Sequence, residues 1–276
     1  MSKHEIDRRQ ALGALVGAAA ALSMGGALVA CTKDGGSDSA GVGDSTLGDT
    51  GEASLADGEW LNGTTALLGA AYAVDFSEEC SQYCEVTLGP CYAETLERQD
   101  ISEDVEGLPA RLAIKVVDSD CNPVAGAVVD IWHCAPSGLY SGSDAANMCT
   151  DGDSEATASR WFRGTQTTDA DGVVEFDTCM PGWYPSRAVH IHFQVRLDGQ
   201  EYVTSQAGFP EALLEDVFDN HPVYSPYGQP DTPNDRDNIL SKDLDAFLFS
   251  WRRADDGALV LWKTVGIRSS LSESSC

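Results

Sequence analysis

"AVHIHFQVRL", residues 188–197, alternates apolar and polar side chains at a period of two. That is the period of a β-strand, whose successive side chains point to opposite faces. On a strand, Val189, Ile191, Phe193 and Val195 share the face that a core would bury. His190, His192 and Gln194 share the other, so two imidazoles are aimed at a common point. A metal site needs such a pair, but a strand with one polar face also produces it.

Working outward, the same period recurs in "RLAIKVV" (111–117), "VAGAVVDIW" (124–132), "GVVEF" (172–176), "EYVTSQ" (201–206) and "ALVLWKT" (258–264). The turn signals "DSDCNP", "DADG" and "LDGQ" separate these runs. Helical patterning is confined to "PEALLEDVF" (210–218) and "TTALLGAAYA" (64–73). Many short strands with few helices predict a mainly β fold, an antiparallel β-sandwich with short helices and long loops. No internal repeat is present.

The front of the chain reads as processing signals. Arg8 and Arg9 precede a small, apolar run from Ala11 to Ala30, and Cys31 follows. A basic flank with a short apolar run is an export signal rather than a spanning helix. Arg-Arg-x-x-Leu resembles the twin-arginine type and "LVAC" (28–31) a lipoprotein cleavage box. Those resemblances imply a signal peptide over 1–30, a lipid on Cys31 as the membrane contact, and a bacterial envelope location, periplasm or outer membrane. Residues 31–58 are mostly Gly, Ser and Asp, a flexible tether. At about 5–6 Å × √n, the tether spans on the order of 30 Å. Residues 59–276 have no second composition break and are long enough for one domain with a sizeable core.

Without Cys31, eight of the nine cysteines remain, and an even number in an exported chain predicts disulfides. The expected pair is Cys134 with Cys149, which brackets a loop. A net charge of −27 argues against nucleic acid or an anionic membrane surface as partner.

Of the five histidines, His4 lies in the signal, His221 in a loop and His133 in "DIWHC". No carboxylate motif accompanies His190 and His192, so the two-histidine, one-carboxylate pattern is not evident. Two tyrosines are placed unusually. Tyr184 follows "MPGW" and leads into the histidine strand, and Tyr140 ends "CAPSGLY" after another strand. Gly and Pro beside each put them at strand ends or loops. A phenolate is a hard anion, so two phenolates with two imidazoles favour Fe(III) over Zn(II).

The ordered stretches "GPCYAETLERQDI" (89–101), "PVAGAVVDIWHCAPSGLYSG" (123–142), "WFRGTQTTDADGVVEFDT" (161–178), "MPGWYPSRAVHIHF" (180–193) and "TSQAGF" (204–209) resemble the intradiol ring-cleavage dioxygenases, in particular their exported branch. The resemblance runs from roughly residue 84 to 265. It implies a transthyretin-like (prealbumin-like) sandwich core and one non-haem Fe(III) per chain. It also implies cleavage of a small catechol or hydroxyquinol by O2 between the two hydroxylated carbons, giving a muconate-type diacid. Carried over residue by residue, Tyr140, Tyr184, His190 and His192 match the metal ligands, with Tyr184 and His192 axial and Tyr140 and His190 equatorial. Tyr184 is also the group that would leave the metal and take a proton. Arg187 and Gln206 match the active-site arginine and glutamine.

Two departures bear on specificity. Only "PSRAV" separates Tyr184 from His190, which implies an open, shallow site with Ser186 where some members carry a bulkier residue. The segment 59–89 is short for a helical dimerisation region. "GPCY" puts Cys91 where the family usually has a tyrosine. The competing reading is an iron-free, transthyretin-like surface binding module, since "PVAGAVVDIW" fits such a domain equally well. His133 reads as structural, Arg163 as a hydrogen-bond donor near the site, and "NDRDN" (234–238) as an exposed turn rather than a calcium loop.

Overall fold

The computed structural model describes residues 59–76 and 80–273. The expected signal, Cys31 and the tether lie outside them. In chain order the elements are β1 (Pro109–Val117), β2 (Val128–Trp132), α1 (Asn147–Thr150), α2 (Ser154–Ala158), β3 (Arg163–Thr167), β4 (Val173–Cys179), β5 (His190–Leu197), β6 (Gln200–Gly208), α3 (Glu211–Asn220), α4 (Leu244–Phe247), β7 (Ser250–Arg253) and β8 (Leu259–Gly266), with short 3-10 turns between them. No described helix is long and apolar enough to cross a membrane.

The strands form two four-stranded sheets, ordered β4-β1-β8-β7 and β3-β2-β5-β6. Alternation decides what lies between them. Leu112, Ile114 and Val116 of β1, Val174 and Phe176 of β4, and Leu259 and Leu261 of β8 belong to one buried cluster. Val129 and Ile131 of β2, Ile191, Phe193 and Val195 of β5, and Val203 and Ala207 of β6 complete it. Each large side chain removed from water contributes about 1.5–3 kcal/mol. The expected β-sandwich is therefore the fold found, with one difference: β1 pairs with β8 in parallel, Ala110 opposite Leu259 through Val117 opposite Gly266.

The turn expected at "LDGQ" closes the β5–β6 hairpin. Asp198 and Gly199 both have positive φ, 51° and 74°, as a two-residue turn matching the strand twist requires. This hairpin sets His192 opposite Gln206, and β2 sets Trp132 opposite His192 on its other side.

Several local expectations change. "TTALLGAAYA" contains only a three-residue 3-10 turn, Thr65–Leu67. Thr65 is drawn inward by hydrogen bonds to Asp100 (2.7 Å) and Ser102 (2.8 Å), which no amphipathic helix would allow. The strand expected from residue 124 begins at Val128, because Gly126 turns the chain at φ 80°. β3 and β7 escape the alternation test because both are sheet edges of largely polar sequence.

The expected Cys134–Cys149 bond is replaced. Cys149 bonds Cys91, and Cys80 bonds Cys121. Cys84 is also disulfide-bonded. Cys134 follows β2 as a buried thiol 3.3 Å from the Gly182 carbonyl, and Cys179 is the other buried free thiol among the described residues. Cys149 instead faces the segment of Cys91, where the Ala146 amide donates to the Pro90 carbonyl at 3.2 Å. Burial pushes both free thiols up to about 12, so neither is reactive at neutral pH.

Candidate metal centre

Two loops carry the tyrosines, and two glycines let them touch. After β2, the Ala135 amide donates to Leu139 O (2.7 Å) and the Gly138 amide to Ala135 O (2.8 Å), folding residues 135–139 into a tight loop that ends at Tyr140. Gly182, leading to Tyr184, donates to Ala135 O at 3.2 Å. A Cβ on Gly182 would stand 2.1 Å from Pro136 O, and one on Gly138 2.3 Å from Trp183 O. Those are backbone atoms of the other loop and cannot swing away. Gly182→Ala is therefore expected to destabilise the fold by about 1–3 kcal/mol, measured as a lower denaturant midpoint. An unchanged midpoint would show that the loops do not need this approach.

The closeness has a result. The Tyr140 and Tyr184 rings lie 5.8 Å apart edge to face, and Tyr184 lies 5.6 Å from His190. His190 and His192 project from the same face of β5 with ring centroids 4.8 Å apart. That face, expected to be merely polar, is as buried as the core face, because loops cover it. Gly89 in the loop 87–91 lies over His192, where a Cβ would come 3.2 Å from Cε1. Trp132 stacks on His192 at 4.9 Å and 12° and fixes its plane.

Protonation follows from burial. His190 Nδ1 lies 2.6 Å from the Ala188 carbonyl, which can only accept, so Nδ1 carries the proton and Nε2 the lone pair. That Nε2 faces His192 Nε2 at 3.2 Å and the Tyr184 hydroxyl at 3.1 Å. Burial, with the nearby Arg187 charge, lowers His190 to about 3. Burial and His190 hold His192 well below its usual value. Both are neutral imidazoles, the form that binds metals. Burial also raises both phenols above their usual value of 10.0, Tyr140 furthest. The Tyr140 hydroxyl is close enough to Tyr184 to be coupled to it, yet no hydrogen bond of good geometry satisfies it. His192 Nδ1 is likewise buried without a partner.

A buried polar group without a partner costs about 1–3 kcal/mol; the Tyr140 hydroxyl is one, and the Nε2 atoms of His190 and His192 face each other at 3.2 Å beside it. A cation between them would satisfy the lone pairs and stabilise the phenolates. Among the described residues no group of three or more His, Cys, Asp or Glu is arranged for a metal ion. Beside His190 and His192 the phenol oxygens of Tyr140 and Tyr184 are the further donors that could hold such an ion. The donor set fits a hard, high-charge metal ion.

Beside this cluster, Arg187 donates from Nε to Asp237 Oδ2 (2.8 Å) and from Nη2 to Gln206 Oε1 (2.5 Å). Gln206 is fully buried, and its Nε2 has no partner. Tyr184 and Arg187 belong to one turn, closed by Arg187 N donating to Tyr184 O (3.4 Å). Ser186 adopts φ 72° there, and its amide donates to Asp231 at 3.1 Å. A bulky residue at that φ would be strained, which accounts for the small one.

All six residues singled out in the sequence thus lie in one cluster. Three contributors were missed. Trp132 looked like any strand tryptophan. Asp237 lies in "NDRDN", expected to be an exposed turn, yet Asp237 and Asn234 are buried. No periodicity marks a buried acid in a 3-10 segment; its partner Arg187 is its only signal. Cys91 had no assigned role and proves to be half of a disulfide beside Tyr140. His133 is structural, with Nδ1 2.8 Å from Cys134 O and Nε2 2.8 Å from Thr178 Oγ1. Arg163 is buried behind Tyr140 and donates to Ser141 O (2.6 Å) and Cys91 O (2.7 Å).

Two four-stranded sheets with a cluster of two imidazoles and two phenols at their rim define a β-sandwich built around a mixed nitrogen–oxygen donor site. Known proteins resemble the chain in sequence and fold. The family profile described as Dioxygenase matches residues 80–219. Chlorocatechol 1,2-dioxygenase from Pseudomonas putida is 31% identical over 139 residues, 44% of this chain and 50% of that protein. Catechol 1,2-dioxygenase 1 from Acinetobacter lwoffii is 30% identical over 155 residues, 47% of each chain. The chain thus spans about half the length of the curated relatives it matches. The solved intradiol ring-cleavage dioxygenase from Tetranychus urticae superposes with a TM-score of 0.61 at 26% identity, covering 71% of this chain and 98% of that one. The chain belongs to the intradiol ring-cleavage dioxygenase family.

Proposed function

We propose that this protein cleaves a small catechol or hydroxyquinol with O2 between the two hydroxylated carbons, giving a muconate-type diacid. Tyr140, Tyr184, His190 and His192 would hold one non-haem Fe(III) per chain. The observation that carries the reading is that His190 Nε2 lies 3.1 Å from Tyr184 Oη and 3.2 Å from His192 Nε2, beside the unpaired Tyr140 hydroxyl. A bound ferric ion supplies Lewis acidity that lowers the pKa of catechol hydroxyls and draws electron density from the ring.

The chain's residues do the rest. Both phenols stand on loops, but Tyr184 is only half-buried where Tyr140 is fully enclosed, so the Tyr184 oxygen is the one able to move and take a proton from the incoming diol. Tyr140, fixed between two loops and Arg163, stays in place. Arg187 presents its guanidinium where negative charge develops on the ring, electrostatic stabilisation of the oxyanion-hole kind. Gln206, whose Oε1 is taken by Arg187, has only its Nε2–H bonds to offer a substrate or oxygen-derived atom. Trp132 and Gly89 close the far side of His192 against water.

Oxygen uptake with a panel of catechols, with product analysis, tests the reading. Ring-opened diacid containing both atoms of labelled O2 is expected. Oxidation to a quinone, or binding without ring opening, would refute it. Tyr184→Phe is expected to shift or remove the visible phenolate-to-iron band; an unaltered band would exclude Tyr184 as a ligand.

We further propose that the chain is exported and lipid-anchored through Cys31 at a bacterial envelope. The Arg8–Arg9 signal and the disulfides support this reading. Labelling of Cys31 by a fatty-acid probe, lost in Cys31→Ala, tests it.

A further inference from the structure

The geometry points to Asp237 as the residue that positions Arg187 and, through it, the amide of Gln206 for reaction, an inference that rests on the function proposed above. Asp237 is fully buried and gathers five donors. Its Oδ2 accepts from Arg187 Nε at 2.8 Å and from the Ala188 amide at 3.0 Å. Its Oδ1 accepts from the Ile239 amide (2.9 Å), the Leu240 amide (3.0 Å) and, at 3.4 Å, Arg187 Nη2. One carboxylate therefore ties together the guanidinium, the residue two before His190, and its own turn.

The pattern has a direction. Asp237 takes the Nε and Nη2 edge of Arg187, and no hydrogen bond within the described chain occupies Nη1. Nη2 also donates to Gln206 Oε1, which fixes the flip of that amide. With Oε1 held, Nε2 is the free end, and it is the end left buried and unpaired. Carboxylate, guanidinium and carboxamide form a relay whose far end presents only N–H donors. Both free ends are donors, as a ligand gaining negative charge would require. An unanchored arginine on a turn that includes Ser186 in the left-handed region would lose rotamer order and release the Gln206 amide to flip.

Asp237→Asn separates this role from a structural one. An amide keeps one oxygen, which can still cap the Ile239 and Leu240 amides. Its NH2 then confronts the Arg187 Nε–H and Ala188 N–H, donor against donor. The test is a double-mutant cycle of Asp237→Asn with Arg187→Ala, read on catechol kcat, on catechol affinity without O2, and on denaturant stability. Asp237→Asn alone is expected to lower kcat on the order of 10–100-fold, with catechol affinity and iron content changed less than about threefold. In the Arg187→Ala background the same substitution is expected to leave kcat within about twofold, because interacting residues are not additive. Asp237→Glu, keeping the charge, is expected to retain more kcat than the amide. Equal effects of Asp237→Asn in both backgrounds, or a parent-like Asp237→Asn, would overturn the positioning role while leaving the proposed reaction standing. A parent protein inactive on every catechol would overturn the proposed reaction, and this inference with it. Should the asparagine variant fail to fold, the cycle run with Asp237→Glu reads the same coupling.

Discussion

His190→Ala is expected to abolish ring cleavage and to strip the protein of most of its iron. Removal of an outer partner of a metal ligand typically costs about 10–100-fold in affinity or activity, so loss of the proposed ligand itself should cost at least that. The position leaves no substitute. His190 Nε2 is the atom that faces both His192 Nε2 and the Tyr184 hydroxyl, and its tautomer is fixed from behind by Ala188. Nearby His133 is occupied at both ring nitrogens and cannot replace it. Iron per chain and O2 uptake check the prediction together. Full iron with parent-like turnover would remove His190 from the centre. Stability should not fall in step with activity, because deleting one member of a cluster of unsatisfied polar groups also removes its desolvation cost.

The second large effect concerns the bond between Cys91 and Cys149. It closes a loop of 58 residues, which in the chain-entropy account contributes roughly 4 kcal/mol. For a domain of this size that corresponds to a fall of about 8–16 °C in the unfolding midpoint when the bond is removed. The bond does more than restrain the unfolded chain. The Tyr140 amide donates to the Cys149 carbonyl at 2.9 Å, and Arg163 behind the Tyr140 ring donates to the Cys91 carbonyl. The backbone of Tyr140 and the arginine behind its ring are therefore each tied to one of the bonded cysteines. Cys91→Ser with Cys149→Ser is expected to lower the midpoint and to broaden or shift the visible band. Cys80→Ser with Cys121→Ser opens a comparable loop of 41 residues between segments that carry none of the four donors. It should lower the midpoint without altering the band. Equal spectral effects in the two pairs would show that the first bond has no special hold on Tyr140.

How much of this was legible in the sequence depends on which physical rule each residue obeys. His190 and His192 were readable because strand periodicity is local: two positions two apart share a face whatever surrounds them. Tyr140 and Tyr184 were readable as a chemical type, since phenolate hardness narrows the metal, but 44 positions separate them. Only the ordered resemblance put them together. What the periodicity missed was the second burial. It assigned the histidine face to the polar side of a sheet, whereas the loops 87–91 and 135–140 cover that face. Loop docking depends on glycine clearance at Gly138 and Gly182, and on disulfide partners that spacing leaves open. Cys149 was expected to pair within its own loop and instead pairs across to Cys91. Asp237 was hidden for a related reason. A buried carboxylate is recognised by the donors around it, and besides its own turn's Ile239 and Leu240 amides these come from residues 187 and 188, some fifty positions away.

The most direct measurement is metal analysis with a visible spectrum on the purified protein, recorded before and after catechol is added without O2. The account predicts about one iron per chain, a visible phenolate-to-iron band, and a shift of that band when catechol binds. Colourless, iron-free protein that neither gains a band nor opens catechol after iron loading would contradict it, and would favour the iron-free binding-module reading.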